Sequence, residues 1–549
     1  MPLIQPQPSK MSATATEVST TSLKAPESWE VVRDKKRQEQ LSRIPEEWHL
    51  TDAMRPPKGT VDVRPVALTS GILTEREQLI TGETYDATSL AEEISKGTFT
   101  ATETITAFCK RAAICQQLCQ ALTEICFTEA IEKAKKLDEH FQKTGKTVGP
   151  LHGLPMSFKE CFHIKGFDAS NGYISRCFDP STMTTPIIQL VEEAGAVVIA
   201  KTNVPQTMLV AECDNNVFGH TGNPVVNHLS CGGSSGGEGS LSAFRGNVLG
   251  IGTDVGGSIR LPAAFNGVYG YKPSVGILPF IGYAASGWTG VNTGIPAVLG
   301  PLAHSARDMT LFTKAVRSYE PWKFDPAVIA GAMEQQTPLS GQKPVIVREA
   351  QEKLTAARYE VIDFTPICPD FAEIREICSQ LFTLDGLSYQ RRELSKAAEP
   401  VVPSVANFGY WDLPRKTHEE VWEWNTKKGA MQKKMLDAWQ QAGIDLLITP
   451  AAPHTAITKD KCTSELYTVV WNAMDYPAVI MPFSKVDPTL DPKDEDFKAI
   501  SIMDHDIQTL YDPQVMAGSP VSIQIVAPRL QDSALLEHAE ILDKIFRGA

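Results

Sequence analysis

The 549-residue chain has no apolar run approaching the roughly 20 residues a membrane-spanning helix needs, so no membrane partner is expected. It also lacks a surplus of positive charge. With 52 Lys and Arg against 65 Asp and Glu, the net charge of −13 argues against nucleic acid as a partner, because non-specific binding of nucleic acid relies on basic surfaces. The 11 cysteines form no C-x-x-C pair with zinc spacing, and their odd count does not suit a complete disulfide framework. Cys115 and Cys119 lie four apart on one expected helix face, which reads as core filling rather than metal binding. The first 25 residues contain no apolar signal-peptide core, and Lys10 with Glu17 makes a poor mitochondrial presequence. Internal repeats are absent. These features together predict a reduced, cytoplasmic protein.

The remaining composition is that of an ordinary globular chain, 42% hydrophobic and 21% charged. That length can bury a large core, as one big α/β unit or as two to four domains. Residues 1–25 are rich in Ser, Thr, Pro and Gln and are expected to be disordered. In residues 26–71 the charges alternate in sign (RDKKRQEQLSRIPEEW), which predicts an exposed helical arm. A compact domain is expected over 72–549.

Within that domain Thr100 and Glu103 form a capping box, followed by Ile105, Phe108, Ala112, Cys115 and Cys119 at steps of three and four. A second amphipathic helix is predicted from Glu129 to about Lys143, ended by Gly145. Next comes GPLHGLPMSFKE, in which a strand would place Ser157 and Lys159 on one side and Met156 and Phe158 on the other. Thr185-Pro186 opens a helix, Gly195 closes it, and AVVIAK at 196–201 reads as a buried strand. This β–α–β rhythm predicts a large central sheet, mixed but mostly parallel, covered on both sides by helices. DLLITP (445–450), YPAVIMPF (476–483) and PVSIQIV (520–526) are further expected strands, and Asp532 to Phe546 is an expected closing helix.

The most informative stretch is Cys231 to Pro262, CGGSSGGEGSLSAFRGNVLGIGTDVGGSIRLP. Its two glycine–serine clusters let the backbone approach a ligand closely and leave N–H groups free to converge on an oxyanion. A flexible linker would not need Arg245, Asp254, Arg260 or the apolar Val248, Leu249 and Ile251 between the clusters. GGSSG formally matches the G-x-S-x-G nucleophile elbow, but the residues before it, PVVNHLSC, do not read as the buried strand an elbow requires. A phosphate-binding loop fails because no Lys–Ser/Thr pair follows these glycines. GTDVGGSIR at 252–260 offers the better nucleophile, Ser258, with the amides of Val255, Gly256, Gly257 and Ser258 able to face one oxygen. Asp254 and Arg260 are placed to pair and brace that loop. A serine needs a base, and a desolvated, neutral lysine can serve; Lys159 on its expected strand is the candidate, with an ordinary surface lysine as the alternative.

GLPMSFKE, CGGSSGGEG and GTDVGGSIRLPAAFNGVYGYKPS resemble the amidase signature family, most closely its fungal acetamidase branch. The likeness extends through FCKRAAICQQL and KTNVPQT to WNAMDYPA and YDP, with a signature core at about 145–315. The resemblance implies the amidase-signature fold and a Ser–cis-Ser–Lys triad: Ser258 as nucleophile, Ser234 as bridging serine after a cis peptide bond, and Lys159 as base. The separations of 24 and 75 residues between these positions fit the family pattern. It further implies a substrate-channel role for Met208, with core filling as the alternative, and a supporting role for Ser235. His152 in PLHGLP would be a loop residue rather than a base.

The implied activity is hydrolysis of a small monocarboxylic acid amide, acetamide-like or simple aromatic, through an acyl-enzyme, with no metal or organic cofactor. The small-molecule amide would be the main partner, and a homodimer is possible within the family. Alternatives are a specialised amidase for a larger amide, an ammonia-generating subunit of a transamidation complex, and an inactive relative. The last is motivated by QQTPLSGQKPVIVREAQEKL, where relatives carry a strand and a DG turn that this chain lacks near 335–345. Glu160, standing where the family usually has Asp, is a second departure.

Overall fold

The computed structural model describes residues 27–288, 290, 293–333 and 348–548. The expected helix starts and stops are found where the local chemistry places them. Thr100 caps the helix Ala101–Cys119 through a capping box with Glu103. Gly145, left-handed at φ 66°, closes the helix Phe127–Thr144. Pro186 occupies the first position of the helix Pro186–Glu193, and Asp532–Arg547 forms the last helix.

Among the described residues eleven strands follow in chain order: β1 Leu122–Ile125, β2 Pro155–Lys159, β3 Val197–Thr202, β4 Asp214–Asn215, β5 Gly219–His220, β6 Leu249–Asp254, β7 Tyr269–Lys272, β8 Val298–Ala303, β9 Leu447–Pro450, β10 Ala478–Lys485 and β11 Pro520–Val526. Strands β4 and β5 pair as a small hairpin, and the other nine form one sheet in the order β1-β3-β2-β6-β8-β7-β10-β11-β9. The architecture is therefore the expected α/β one, a large mixed central sheet with helices around it.

Parallel pairing lies where the β–α–β rhythm put it, with β2 between β3 and β6. Strands β6 and β7, joined through the helix Arg260–Asn266, also run in one direction, but β8 inserts between them antiparallel to both. The C-terminal strands add by antiparallel pairing. A crossover helix brings the chain back in the same direction, whereas the loop-connected β8 has no such constraint.

Strands β2, β3 and β6 are buried along their whole lengths, so their alternation separates two buried environments rather than core from solvent. One side of β2 sends Met156 and Phe158 into the main hydrophobic core. The other carries Ser157 and Lys159 into a polar interior, and both are at most 1% exposed.

The helix Trp29–Ser42 exists as expected but is docked rather than exposed. Lys36 and Gln40 are buried in it. Gln40 Nε2 donates to the carbonyls of Leu122 and Thr123 at 2.7 and 2.9 Å. Lys36 Nζ meets Glu124 at 2.7 Å and Asp168 at 2.8 Å. Alternating charge reads as solvated because the sequence does not show the carboxylates that wait beneath Lys36. The stretch near 335–345, where a strand and a turn are expected to be missing, lies outside the described residues. No described helix is long and apolar enough to cross a membrane.

Candidate active site

Three chain segments converge at the C-terminal ends of β2 and β6. Strand β2 ends on Lys159, β6 ends on Thr253 and Asp254, and the turn before the helix Gly236–Ala243 brings in Ser234 and Ser235. The residues preceding Ser234 form turns and isolated bridges, not the strand a nucleophile elbow requires. The Gly233–Ser234 peptide bond is cis. Gly233 is required by space alone, since a Cβ there would lie 2.0 Å from the Glu212 carbonyl oxygen.

Lys159 Nζ lies 2.7 Å from Ser234 Oγ and 2.9 Å from Thr253 Oγ1. Among the described residues no carboxylate pairs with it directly. Burial away from water pulls its pKa down to about 8, with only partial opposition from Cys161 and Asp254. At 1% exposure Lys159 is not the ordinary surface lysine of the alternative reading. Thr253, its second partner, was not singled out by the motif reading, although it stands one residue before Asp254 in GTDVGGS.

Beneath the lysine a further buried group appears. Glu238 accepts from Thr202 Oγ1 at 2.7 Å and shares a 2.5 Å hydrogen bond with Ser157 Oγ. Burial raises its pKa to about 8, so it is held largely as the neutral acid and does not compete for the lysine as a counter-ion. Glu160 points the opposite way from Lys159, into a network with Thr123, Ser170 and Lys201. The departure from Asp at that position is thus absorbed away from the amine.

The loop after β6 is fixed by Asp254, as expected from its pairing with Arg260. Arg260 Nε and Nη2 donate to the two carboxylate oxygens at 3.0 and 2.9 Å, and both residues are 0% exposed. Burial alone would raise the Asp254 pKa, but the Arg260 charge, its hydrogen bonds and Asn472 hold it well below the carboxylate range. The same carboxylate accepts the N–H of Gly257 at 2.9 Å and of Ile259 at 3.1 Å. This corrects one expectation: Gly257 lines the cavity, but its amide is committed to Asp254 and cannot also serve an oxyanion. The amides of Val255, Gly256 and Ser258 remain for that purpose. Gly257 sits at φ +133°, and a Cβ there would meet Thr468 Oγ1 at 2.2 Å, so no other residue fits.

Ser258 is tied to the serine turn through its carbonyl, which accepts from Ser235 N at 3.0 Å. Its own side chain is half-buried and opens into a cavity of about 30 Å3. Met208, Val255, Gly256 and Gly257 line the same cavity, so the sequence-selected positions meet there. Ser234 and Lys159 lie behind it, each 1% exposed. The far walls come from Phe382, Phe408, Tyr410 and Glu465, none of which carried a local signal. His152 is not part of the site; its Nδ1 accepts the Val148 N–H at 3.1 Å and braces a loop.

A buried amine against one hydroxyl, and a second hydroxyl facing a cavity rimmed by backbone amides, suit acyl transfer. The comparisons agree. A family profile described as Amidase matches residues 103–536. The chain is 36% identical to an acetamidase of Emericella nidulans over 95% of its own length and 98% of that protein. It is 35% identical to an acetamidase of Aspergillus oryzae over 94% and 99%. Among solved structures it is similar to a fatty acid amide hydrolase, with a TM-score of 0.87 and 27% identity over 94% of this chain and 95% of that one. The chain belongs to the amidase signature family and is an amide-hydrolysing enzyme.

Proposed function

We propose that the enzyme hydrolyses short-chain carboxylic acid amides through an acyl-enzyme on Ser258, with Ser234 and Lys159 as its proton relay. The observation that carries this reading is the buried Lys159 amine, 2.7 Å from Ser234 Oγ and with no direct counter-ion among the described residues, behind a serine that faces a cavity. In the first half-reaction Ser258 Oγ attacks the amide carbon while its proton passes to Ser234, whose own proton goes to neutral Lys159. The oxyanion rests on the amides left free in the 255–258 loop. The proton returns through Ser234 to the leaving nitrogen as the C–N bond breaks, releasing ammonia or an amine. Water then repeats the path on the ester and frees the acid.

Cavity size and wall chemistry support a short acyl group. About 30 Å3 holds roughly two water-sized groups, enough for an acetyl methyl and carbonyl. The inner wall is apolar, with Met208, Leu209, Val210, Ala211, Leu261 and Phe408. Its one carboxylate, Glu465, is engaged by Tyr410 Oη at 2.6 Å and by Arg375 Nε at 3.2 Å. A methyl group suits such walls better than a departing amine, so the acyl side faces inward. The fungal acetamidase relatives are in keeping with this choice. Ammonia release from acetamide, longer aliphatic amides and benzamide tests it, with activity expected to fall along that series and to vanish in Ser258→Ala. A well-folded enzyme inert toward all three would refute the reading.

A further inference from the structure

Three of the segments that build the catalytic cavity are joined by one buried side chain outside it. Residues 208–211 line the cavity, Gly233 enters it just before Ser234, and Glu465 forms part of the far wall. Glu212 ends the first segment, 1% exposed, and its carboxyl reaches the other two. Ser230 Oγ lies 2.5 Å from Oε2 and accepts the Gly232 N–H at 3.0 Å, so a single hydroxyl separates the carboxyl from the turn that carries Ser234. Oε1 accepts the N–H of Cys462 at 3.3 Å, in the loop that leads to Glu465. The Glu212 main chain also runs directly against Gly233, where a Cβ would lie 2.6 Å from its carbonyl carbon.

The group acts as a tie rather than as half of an ion pair. Among the described residues the one basic group within ion-pair reach is His220, whose Nε2 lies 3.8 Å from Oε2, too far for a hydrogen bond. Burial pulls the His220 pKa down, so the ring is neutral; its Nδ1 donates to the Thr221 carbonyl at 3.0 Å, which leaves Nε2 without a proton. Burial raises the Glu212 pKa to about 8, against the opposing hydrogen bonds from Ser230 and Cys462 and with Asp460 and Asp214 adding to the rise. A neutral carboxyl can hold both hydrogen bonds without a counter-charge.

Resting on the serine–serine–lysine reading above, we propose that Glu212 is a positioning residue of the reaction: through Ser230 it fixes the Gly232–Ser234 turn, and through Cys462 it fixes the loop that brings in Glu465. It touches neither the reacting atoms nor the substrate. Its effect is on where Ser234 Oγ stands, and a relay serine displaced by about 1 Å can cost on the order of 100-fold in rate. The segment 208–211, the serine turn and the 462–465 loop therefore keep a common register through one side chain.

The test measures kcat and KM on acetamide, thermal melting, and the rate of fluorophosphonate labelling at Ser258 in wild type, Glu212→Met, Glu212→Gln and Ser230→Ala. Glu212→Met is close in size but makes no hydrogen bond; it should lower kcat and the labelling rate by about 10- to 100-fold, with KM changed by less than about threefold. Glu212→Gln can accept from Cys462 with its carbonyl and donate to Ser230 with its amide, so it should restore both rates to within about threefold of wild type. Combining Ser230→Ala with Glu212→Met should add little to the loss in Glu212→Met alone, because both cut the same path. A folded Glu212→Met that melts lower but keeps both rates within about threefold of wild type would overturn the proposal. So would a Glu212→Gln as slow as Glu212→Met, or a loss confined to KM. If Glu212→Met does not fold, Ser230→Ala decides: labelling slowed at least about fivefold supports the tie, and an unchanged rate refutes it. An active wild-type enzyme labelled at a residue other than Ser258 would instead condemn the parent reading.

Discussion

Replacing Asp254 with Asn should uncouple the catalytic loop from the sheet. The carboxylate receives two bonds from Arg260, two from backbone amides and one from Asn472 Nδ2 at 2.9 Å, and it is 0% exposed. Asparagine keeps the shape but removes the charge, and it turns an amide hydrogen toward donors. Arg260 would retain the Thr468 carbonyl at 2.8 Å and Gln524 Oε1 at 2.9 Å, both neutral. A fully buried guanidinium that loses its counter-charge costs about 3–5 kcal/mol, a large share of the roughly 5–15 kcal/mol that holds a domain together. Thermal melting at a fixed scan rate should therefore show a drop of several degrees. Turnover per folded molecule should fall too, because the Gly257 and Ile259 amides lose the acceptor that sets the loop's course.

The double variant Asp254→Asn/Arg260→Met makes the argument specific. It removes the orphaned cation, so it should melt above Asp254→Asn even though it deletes more hydrogen bonds. Activity should not recover, since the loop anchor is still missing. Refutation would come from a single variant that melts within a degree of wild type, or from a double variant less stable than the single one.

Ser258→Ala should abolish labelling by a fluorophosphonate probe and lower kcat by at least about 10^3-fold, with melting unchanged; labelling lost in Ser234→Ala but kept in Ser258→Ala would reverse the assignment. The lysine must be neutral to accept a proton, and its pKa is pulled down to about 8 by burial. Below that value kcat/KM on acetamide should rise about tenfold per pH unit, levelling above it; a plateau already reached at pH 6 would exclude Lys159 as the base. Lys36→Met would leave Glu124 and Asp168 buried without their cation, so destabilisation of about 3–5 kcal/mol is expected in a melting experiment. A neutral outcome would mean the N-terminal helix contributes no more than surface charge.

Much of the candidate site was legible because it is local. The strand reading of GLPMSFKE placed Lys159 and Ser157 on one side, and GTDVGGSIR held the proposed nucleophile, its loop anchor and the candidate oxyanion amides within nine residues. Capping signals such as Thr100 with Glu103, and Gly145 after its helix, act between near neighbours and fixed helix ends before any packing was known. What tertiary structure alone decided was every partnership between distant segments. Lys36 belongs to an alternating charge pattern that reads as solvated until Glu124 and Asp168 close around it. The Gly257 amide looks free in the motif, and only the folded position of Asp254 commits it elsewhere. Phe382, Tyr410 and Glu465 wall the candidate catalytic cavity from positions more than 100 residues beyond Ser258. A residue's type and spacing determine what it can do with its neighbours in the chain; the partners that stabilise a buried charge or bound a substrate are set by which distant segments the sheet brings together.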